Sequence, residues 1–387
     1  MKFLKDISLK GKKILYRADL NSDIRDGKIQ DDTRIRSVLP TLRYLLKGGV
    51  IQIIILAHQG REKNRSPESV LDLHAKRLQK LLKKPVLKLD QCRNVKIPKT
   101  AKIVVLENVR LDDEDHSDEK KRMGFAKALE KLGDVYVNDA FGACHRDHAT
   151  ISSLPKLMKE KAAGLLLQQE IAALNPLLHG KIESPFTIIF GGAKIDTKIG
   201  VLEYFAQTAD AVLTGGGIAN TFLFAEGYDI GESLCEKEQL ETTQNIAMKL
   251  GNRLHLPEDV VCDDEITSWA TAVDVPSEDV EGDMKILDVG KKTVAKYAKI
   301  IKKSRTVLWN GPLGYAEYKV FRHGTEAIAK AVSACKGTTI IGGGETVAAI
   351  NFLKIPHSKF THVSTGGGAM IEYLSGKNLP GIEALEN

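Results

Sequence analysis

The chain has 387 residues, too many for one ordinary core, which predicts two domains of about 150–200 residues. Its composition, 43% hydrophobic and 27% charged, is that of a soluble globular protein, and the apolar run from Val50 to Ala57 falls far short of the roughly 18 residues needed to span a membrane. The net charge of +6 hides an imbalance: residues 1–165 carry 35 Lys and Arg against 22 Asp and Glu, whereas residues 166–387 carry 21 against 28. The arginines of the basic half are dispersed among strand ends and aromatics are only 6% of the chain, which favours a small anionic ligand over nucleic acid.

Short apolar runs alternate with helical patterns throughout, which predicts an α/β fold with parallel sheets. In the first half the strand candidates are KILYRADLN, VIQIIILAHQGR, AKIVVLENVR and DVYVNDAFG. Between the first two, residues 31–49 read as a helix that Pro40 should kink or break and that Gly48 and Gly49 should end. Helical spacing recurs in VLDLHAKRLQKLLKK and KRMGFAKALEKLG, and the charged run 112–121 reads as a solvated loop without a functional role. Residues 164–180 form a further helix near the switch in charge, a natural linker between the halves. The second half then closes five short strands on glycine: FTIIFGGAK, DAVLTGGGIAN, TVLWNGPLG, TTIIGGGET and THVSTGGGAM. Five cysteines without a CxxC pair argue against a disulfide framework or zinc site and fit a reducing cytoplasm. The first residues contain no apolar leader.

Ligands of open parallel sheets bind beyond the carboxyl ends of the strands. In the first half these ends carry Arg17, Asp19, Asn21, His58, Arg61, Arg110, His145, Arg146 and His148. Arginine forks bind carboxylate or phosphate bidentately, which suits a small phosphorylated acid; the histidines read equally well as ordinary satisfied residues. In the second half, glycine turns beside Lys194 and Lys198 admit a phosphate tail to backbone N–H groups and helix N-termini. A dinucleotide site is poorly supported because no strand–GxGxxG–helix arrangement occurs. A basic site and a glycine-lined site together predict phosphoryl transfer between a small anion and a nucleotide, a reaction that needs positioning and charge stabilisation rather than a covalent nucleophile.

Ten of these motifs, in order, resemble phosphoglycerate kinases: RADLN, DDTRI, AHQGR, LENVR, NDAFGACHRDH, GGAKIDTKI, TGGGIANTFL, WNGPLG, IIGGGET and HVSTGGGA. The resemblance implies two doubly wound, Rossmann-like domains joined by a hinge helix. The expected divisions are residues 1–165 with a returning tail 370–387, a linker 166–180, and a nucleotide domain 181–369. It implies transfer between ATP and 3-phosphoglycerate, giving ADP and 1,3-bisphosphoglycerate, with Mg²⁺, after hinge closure, in a cytoplasmic monomer that engages neither membrane nor nucleic acid. By the same resemblance Asp19, Leu20, Asn21, Arg34, His58, Gln59, Gly60, Arg61, Arg110 and Arg146 would hold the phosphoglycerate. Arg34, Lys194, Gly344 and Gly367 would act on the phosphoryl group in flight, with Gly368 as a further backbone donor. Gly192, Lys194, Lys198, Gly217, Asn310, Pro312, Glu317, Gly343, Gly344, Glu345 and Thr346 would hold the nucleotide, and Glu345 the metal.

Four departures stand out. Glu345 replaces the family's usual Asp, Ser22–Asp23 replaces a Val-Pro pair, Glu62 follows Arg61 in place of proline, and Lys291 replaces another proline. None removes a charged group assigned to catalysis, so an active enzyme is expected. A nucleotide- and phosphoacid-binding protein impaired in turnover is the alternative, with Glu345 as its main support.

Overall fold

The computed structural model describes residues 1–61 and 64–386; Glu62, one of the departures above, lies outside them. By internal contacts the chain divides into two units, Met1–Ala172 with Asn378–Asn387, and Ala173–Lys377.

In the first unit β1 (Lys13–Arg17) is followed by a small antiparallel hairpin, β2 (Ile24–Arg25) and β3 (Lys28–Ile29). Helices α1 (Thr33–Ser37) and α2 (Leu39–Lys47) are separate. The break at Val38 leaves Pro40 in the first turn of α2, where no N–H is needed. Then come β4 (Gln52–Leu56), α3 (Asp72–Leu82), β5 (Leu87–Lys88), β6 (Ile103–Val105), α4 (Glu119–Glu130), β7 (Val135–Asn138), α5 (Leu154–Leu157) and β8 (Glu160–Ala163). The sheet runs β5-β6-β4-β1-β7-β8 and every pair in it is parallel. Because β4 and β7 flank β1 on opposite sides, the chain reverses its direction of travel across the sheet there. That is the switch point at which such sheets open a crevice. Ile14, Tyr16, Ile53, Ile55, Val135 and Val137 alternate into one buried face of this core.

Helix α6 (Leu165–His179) carries the chain into the second unit. There follow β9 (Phe186–Phe190), α7 (Ile199–Phe205), β10 (Ala211–Thr214), α8 (Gly216–Ala225), α9 (Leu240–Leu250) and β11 (Leu254–His255). An antiparallel sheet of β12 (Asp259–Asp263), β13 (Val273–Pro276) and β14 (Lys285–Val289), not anticipated from sequence, comes next. It is held by a small core of its own that includes Leu223, Val260, Cys262 and Ile286. Then follow α10 (Lys291–Lys303), β15 (Thr306–Asn310), α11 (His323–Ser333), β16 (Thr338–Gly342), α12 (Gly344–Phe352), β17 (His362–Val363), α13 (Gly367–Leu374) and α14 (Pro380–Glu386). The main sheet, β11-β10-β9-β15-β16-β17, is again parallel throughout, with its switch point between β9 and β15. Two parallel sheets flanked by helices are the expected doubly wound α/β arrangement.

Two expectations need correction. The returning tail was placed at 370–387, but Met370–Lys377 belong to the second unit; Met370 is fully buried beneath Gly342. The charged run 112–121 is not wholly solvated. Glu114 is fully buried, where it accepts from the Thr150 N–H at 2.9 Å and the Thr150 hydroxyl at 2.5 Å and lies 3.7 Å from Arg17. Among the described residues no helix is long and apolar enough to cross a membrane, and all five cysteines are free thiols.

Candidate active site

In the first unit the loops that follow β1, β4 and β6 meet at a single glycine. The Gly60 N–H donates to Asn21 Oδ1 at 2.8 Å and its carbonyl accepts from Arg110 Nη1 at 2.5 Å. Its φ of +64° is a conformation that only glycine adopts without strain. Asp19, 1% exposed, accepts from the Asn21 N–H at 3.2 Å and pairs with Arg34 at 3.2 Å. One third of the Arg34 side chain remains exposed. Arg61 and Arg146 are exposed, the latter donating to His145 Nε2 at 3.1 Å.

His58 and His148 are neutral for a physical reason. Burial first, then the charges of Arg17, Arg110 and Arg34, hold His58 well below the usual histidine range. Burial, then the charges of Arg17, Arg110 and Arg146, bring His148 down to about 3. Arg17 Nη2 lies 3.2 Å from His58 Nδ1. Because guanidinium can only donate, that nitrogen accepts, which leaves the ring proton on Nε2. Arg110 is itself pushed down, by burial and then by Arg146. A cluster of cations that raise one another's energy is stabilised by a multiply charged anion.

Not every predicted residue offers its side chain to this crest. Arg17 is fully buried, donating to Thr150 Oγ1 and to the Ala18 carbonyl at 2.7 Å each, so it braces the site from beneath. Leu20 is fully buried in the core, contrary to its placement among the ligand contacts. Gln59, 3% exposed, accepts from the Ser22 N–H and donates to the Ser22 carbonyl at 2.9 Å each, tying two loops together.

In the second unit the turns after β9 and β15 interlock. Gly191 N–H donates to the Asn310 carbonyl at 3.0 Å and Gly192 N–H to the Pro312 carbonyl at 2.8 Å. A Cβ on Gly191 would lie 1.9 Å from the Pro312 oxygen, so no other residue fits. Beside this junction opens a cleft of about 520 Å³ lined by Gly192, Gly217, Pro312, Glu317 and Glu345 among the predicted residues. Sequence reasoning missed Leu234, Tyr315, Arg322, Ala348 and Phe352, which also line it. Arg322 sits 3.9 Å over the Phe352 ring, a cation–π contact that walls one side. The two are thirty residues apart, and no local pattern marks them.

The phosphate end of this crest is made of helix starts. Gly344 opens α12 and Gly367 opens α13, with the Gly344 Cβ position facing open space. Asn310 Nδ2 is buried without a partner and points at the Gly343 turn. An unsatisfied buried donor at a helix N-terminus fits an anionic oxygen. Thr346 is fully buried and accepts from the Gly311 N–H at 2.7 Å, so its side chain holds the turn. Lys194 is exposed and Lys198 half-buried, its Nζ donating to Thr197 Oγ1 at 2.9 Å. Burial lowers the Lys198 pKa, and Glu345 and Glu236 oppose the shift. The exposed Glu345 carboxylate, beside Gly192, is an oxygen donor of the type that Mg²⁺ prefers when it is shared with phosphates.

One parallel α/β unit is thus crested with cations suited to a small polyanion, and the other with glycine turns and helix starts suited to a phosphate tail. The chain belongs to the phosphoglycerate kinase family, whose model matches residues 4–377. It is 42% identical over 392 residues to the phosphoglycerate kinase of Moorella thermoacetica, covering 99% of this chain and 98% of the relative. It is likewise 42% identical to that of Roseiflexus sp., over 100% and 99%. Among solved structures, phosphoglycerate kinase from Coxiella burnetii superposes with a TM-score of 0.85 at 37% identity, covering 99% of this chain and 98% of that one. The enzyme from Pyrococcus horikoshii superposes at 0.88 and 31%, covering 100% and 98%.

Proposed function

We propose that the chain catalyses reversible transfer of the ATP γ-phosphoryl to the carboxylate of 3-phosphoglycerate, giving 1,3-bisphosphoglycerate, as a step of glycolysis and gluconeogenesis. The observation that carries this reading is the arginine cluster around two neutral histidines, a receptor for a compact polyanion. His58 Nε2–H, Arg61, Arg110 and Arg146 bind the phosphoglycerate. Arg34, held by Asp19 until substrate arrives, turns its exposed fork to the attacked carboxylate and to the phosphoryl group. The nucleotide lies in the cleft, with its phosphates at Asn310, Gly343, Gly344 and Lys198. Glu345 would hold Mg²⁺, which would supply charge neutralisation for the nucleotide phosphates. Lys194 and the amides of Gly367 and Gly368 meet negative charge as it spreads over the phosphoryl oxygens, where a preorganised donor contributes most. Closure of the two units excludes water, and the enzyme works as a cytoplasmic monomer.

A coupled assay with ATP, Mg²⁺ and 3-phosphoglycerate tests the reading. Saturable turnover that requires all three is expected. Binding of both ligands without turnover would instead mark an impaired binding protein.

A further inference from the structure

The loop that carries the two lysines is held from a side that the phosphate turns do not explain. Midway between Lys194 and Lys198, the Asp196 N–H donates to Glu236 Oε2 at 3.1 Å. Glu236 lies in the connection between α8 and α9 and is 8% exposed. Its own N–H donates to Thr221 Oγ1 at 3.2 Å, and the Thr221 hydroxyl donates to the Gly217 carbonyl at 2.8 Å. Gly217 lines the cleft. Asn220 Nδ2 donates to the Leu234 carbonyl at 3.1 Å, which pins the same connection to α8 two residues before Glu236. One withdrawn residue therefore ties the lysine loop, held by its carboxylate, to the first turn of α8 at the cleft, reached by its own N–H through Thr221.

Carboxylates leave water only where hydrogen bonds or cations compensate. Here the compensation comes from the lysine loop itself, through its backbone and through the Lys198 charge, which Glu236 favours. In sequence Glu236 stands in the charged run CEKEQLE, where a solvated residue is the ordinary expectation.

We propose that Glu236 is a positioning residue: by accepting the Asp196 N–H it fixes the loop from Lys194 to Lys198 against the Gly217 turn before nucleotide binds. The inference rests on the phosphoryl-transfer reading of the lysines. Its gain is preorganisation, since donors already in place need not be ordered by the substrate.

The test compares the full-length protein with Glu236→Ala, Glu236→Gln and Thr221→Val, using kcat, both KM values, and ADP affinity by calorimetry. Loss of one charge-assisted hydrogen bond predicts that Glu236→Ala lowers kcat and weakens ADP about tenfold, with the KM for 3-phosphoglycerate unchanged. Glu236→Gln, whose amide oxygen can accept the same N–H, should recover to within about threefold of the parent. Thr221→Val, which keeps the shape and removes the bridge, should show the same pattern at about threefold. The proposal is overturned if folded Glu236→Ala matches the parent in kcat and ADP affinity. It is equally overturned if the KM for 3-phosphoglycerate rises in parallel, or if Gln is as impaired as Ala. Should Glu236→Ala fail to fold, the other two variants decide, and Thr221→Val at parental values refutes the link. If the parent shows no turnover, the reaction assignment fails, and the ADP affinities still decide the role of Glu236.

Discussion

Beyond β1, β4 and β6 the first unit presents side chains: Asp19, Arg34, His58 and Arg110, each held by a neighbour at hydrogen-bond distance. Beyond β9, β15 and β16 the second unit presents backbone, in turns so closely interlocked that a Cβ on Gly191 or Gly311 would collide with a carbonyl. A side-chain crest encodes the identity of its ligand, because arginine forks and a fixed imidazole tautomer select charge and shape. A backbone crest encodes position, since amides and helix starts attract any phosphate placed against them. The first should lose contacts one at a time when mutated, and the second should fail through shape.

The strongest test of that contrast is Lys194→Ala, which removes the exposed side chain on the backbone crest that is assigned to the moving phosphoryl. A contact made mainly in the transition state predicts a fall in kcat of about 10²-fold or more, with ATP affinity nearly intact. Steady-state kinetics with an independent ATP titration checks this, and an unmoved kcat would remove Lys194 from the mechanism. Arg34→Ala comes next. Loss of a bidentate partner predicts that kcat/KM for 3-phosphoglycerate falls by about 10–100-fold, with both constants affected, while the KM for ATP stays near its parental value. Unchanged kinetics would leave Arg34 as nothing more than the partner of Asp19.

Acid should separate the units by stability. Burial, with neighbouring arginines at two of the three, depresses His58, His74 and His148 in the first unit, His74 to about 4 and His148 to about 3. Below the ordinary value of 6.5 the unfolded chain binds more protons there than the native state, so this stability is present above 6.5 and lost as pH falls. Asp139, raised to about 6, and Glu114, also raised by burial, oppose the loss but are outnumbered. In the second unit burial raises Asp288 to about 7, and its contribution runs the other way: it grows as pH falls from 7 toward 3.8. His255, depressed by burial, partly offsets it. Amide-exchange protection in β1 and β7 should therefore drop between about pH 6.5 and 4.5 before that in β9 and β15. Equal loss in both units would break the contrast. Trp269 and Trp309 both lie in the second unit, so tryptophan fluorescence follows that unit alone.

The smallest effect is expected from Glu345→Asp. The carboxylate is kept and withdrawn by one methylene, which predicts kcat within about twofold of the parent at saturating Mg²⁺ and equal or better activity at low Mg²⁺. A metal titration decides, and a large loss would show that the cleft is built around the longer side chain.

Strands β1, β4, β6, β7, β9, β10, β15, β16 and β17 were readable because each closes on a charged or glycine motif and parallel pairing brings those ends to one side. The side on which individual residues fall was not. Leu20 and Thr346 sit inside ligand motifs yet turn inward, since alternation along an irregular loop carries no period to read. Glu114 was hidden in an acidic run because its partner, Thr150, lies 36 residues further on. Phe352 and Arg322 likewise meet only through the fold. In the missed sheet of β12, β13 and β14, the strand β13 is largely exposed and offers no buried alternation to read.

Residues 378–386 pack with the first unit, where the Gly381 N–H donates to the Cys144 carbonyl at 2.9 Å and Leu379 and Leu385 are buried. During synthesis the strands of that unit leave the ribosome first, yet the segment that completes their packing leaves after everything from Ala173 to Lys377. The first unit thus has all of its residues only after the second has been made in full, although its synthesis began earlier.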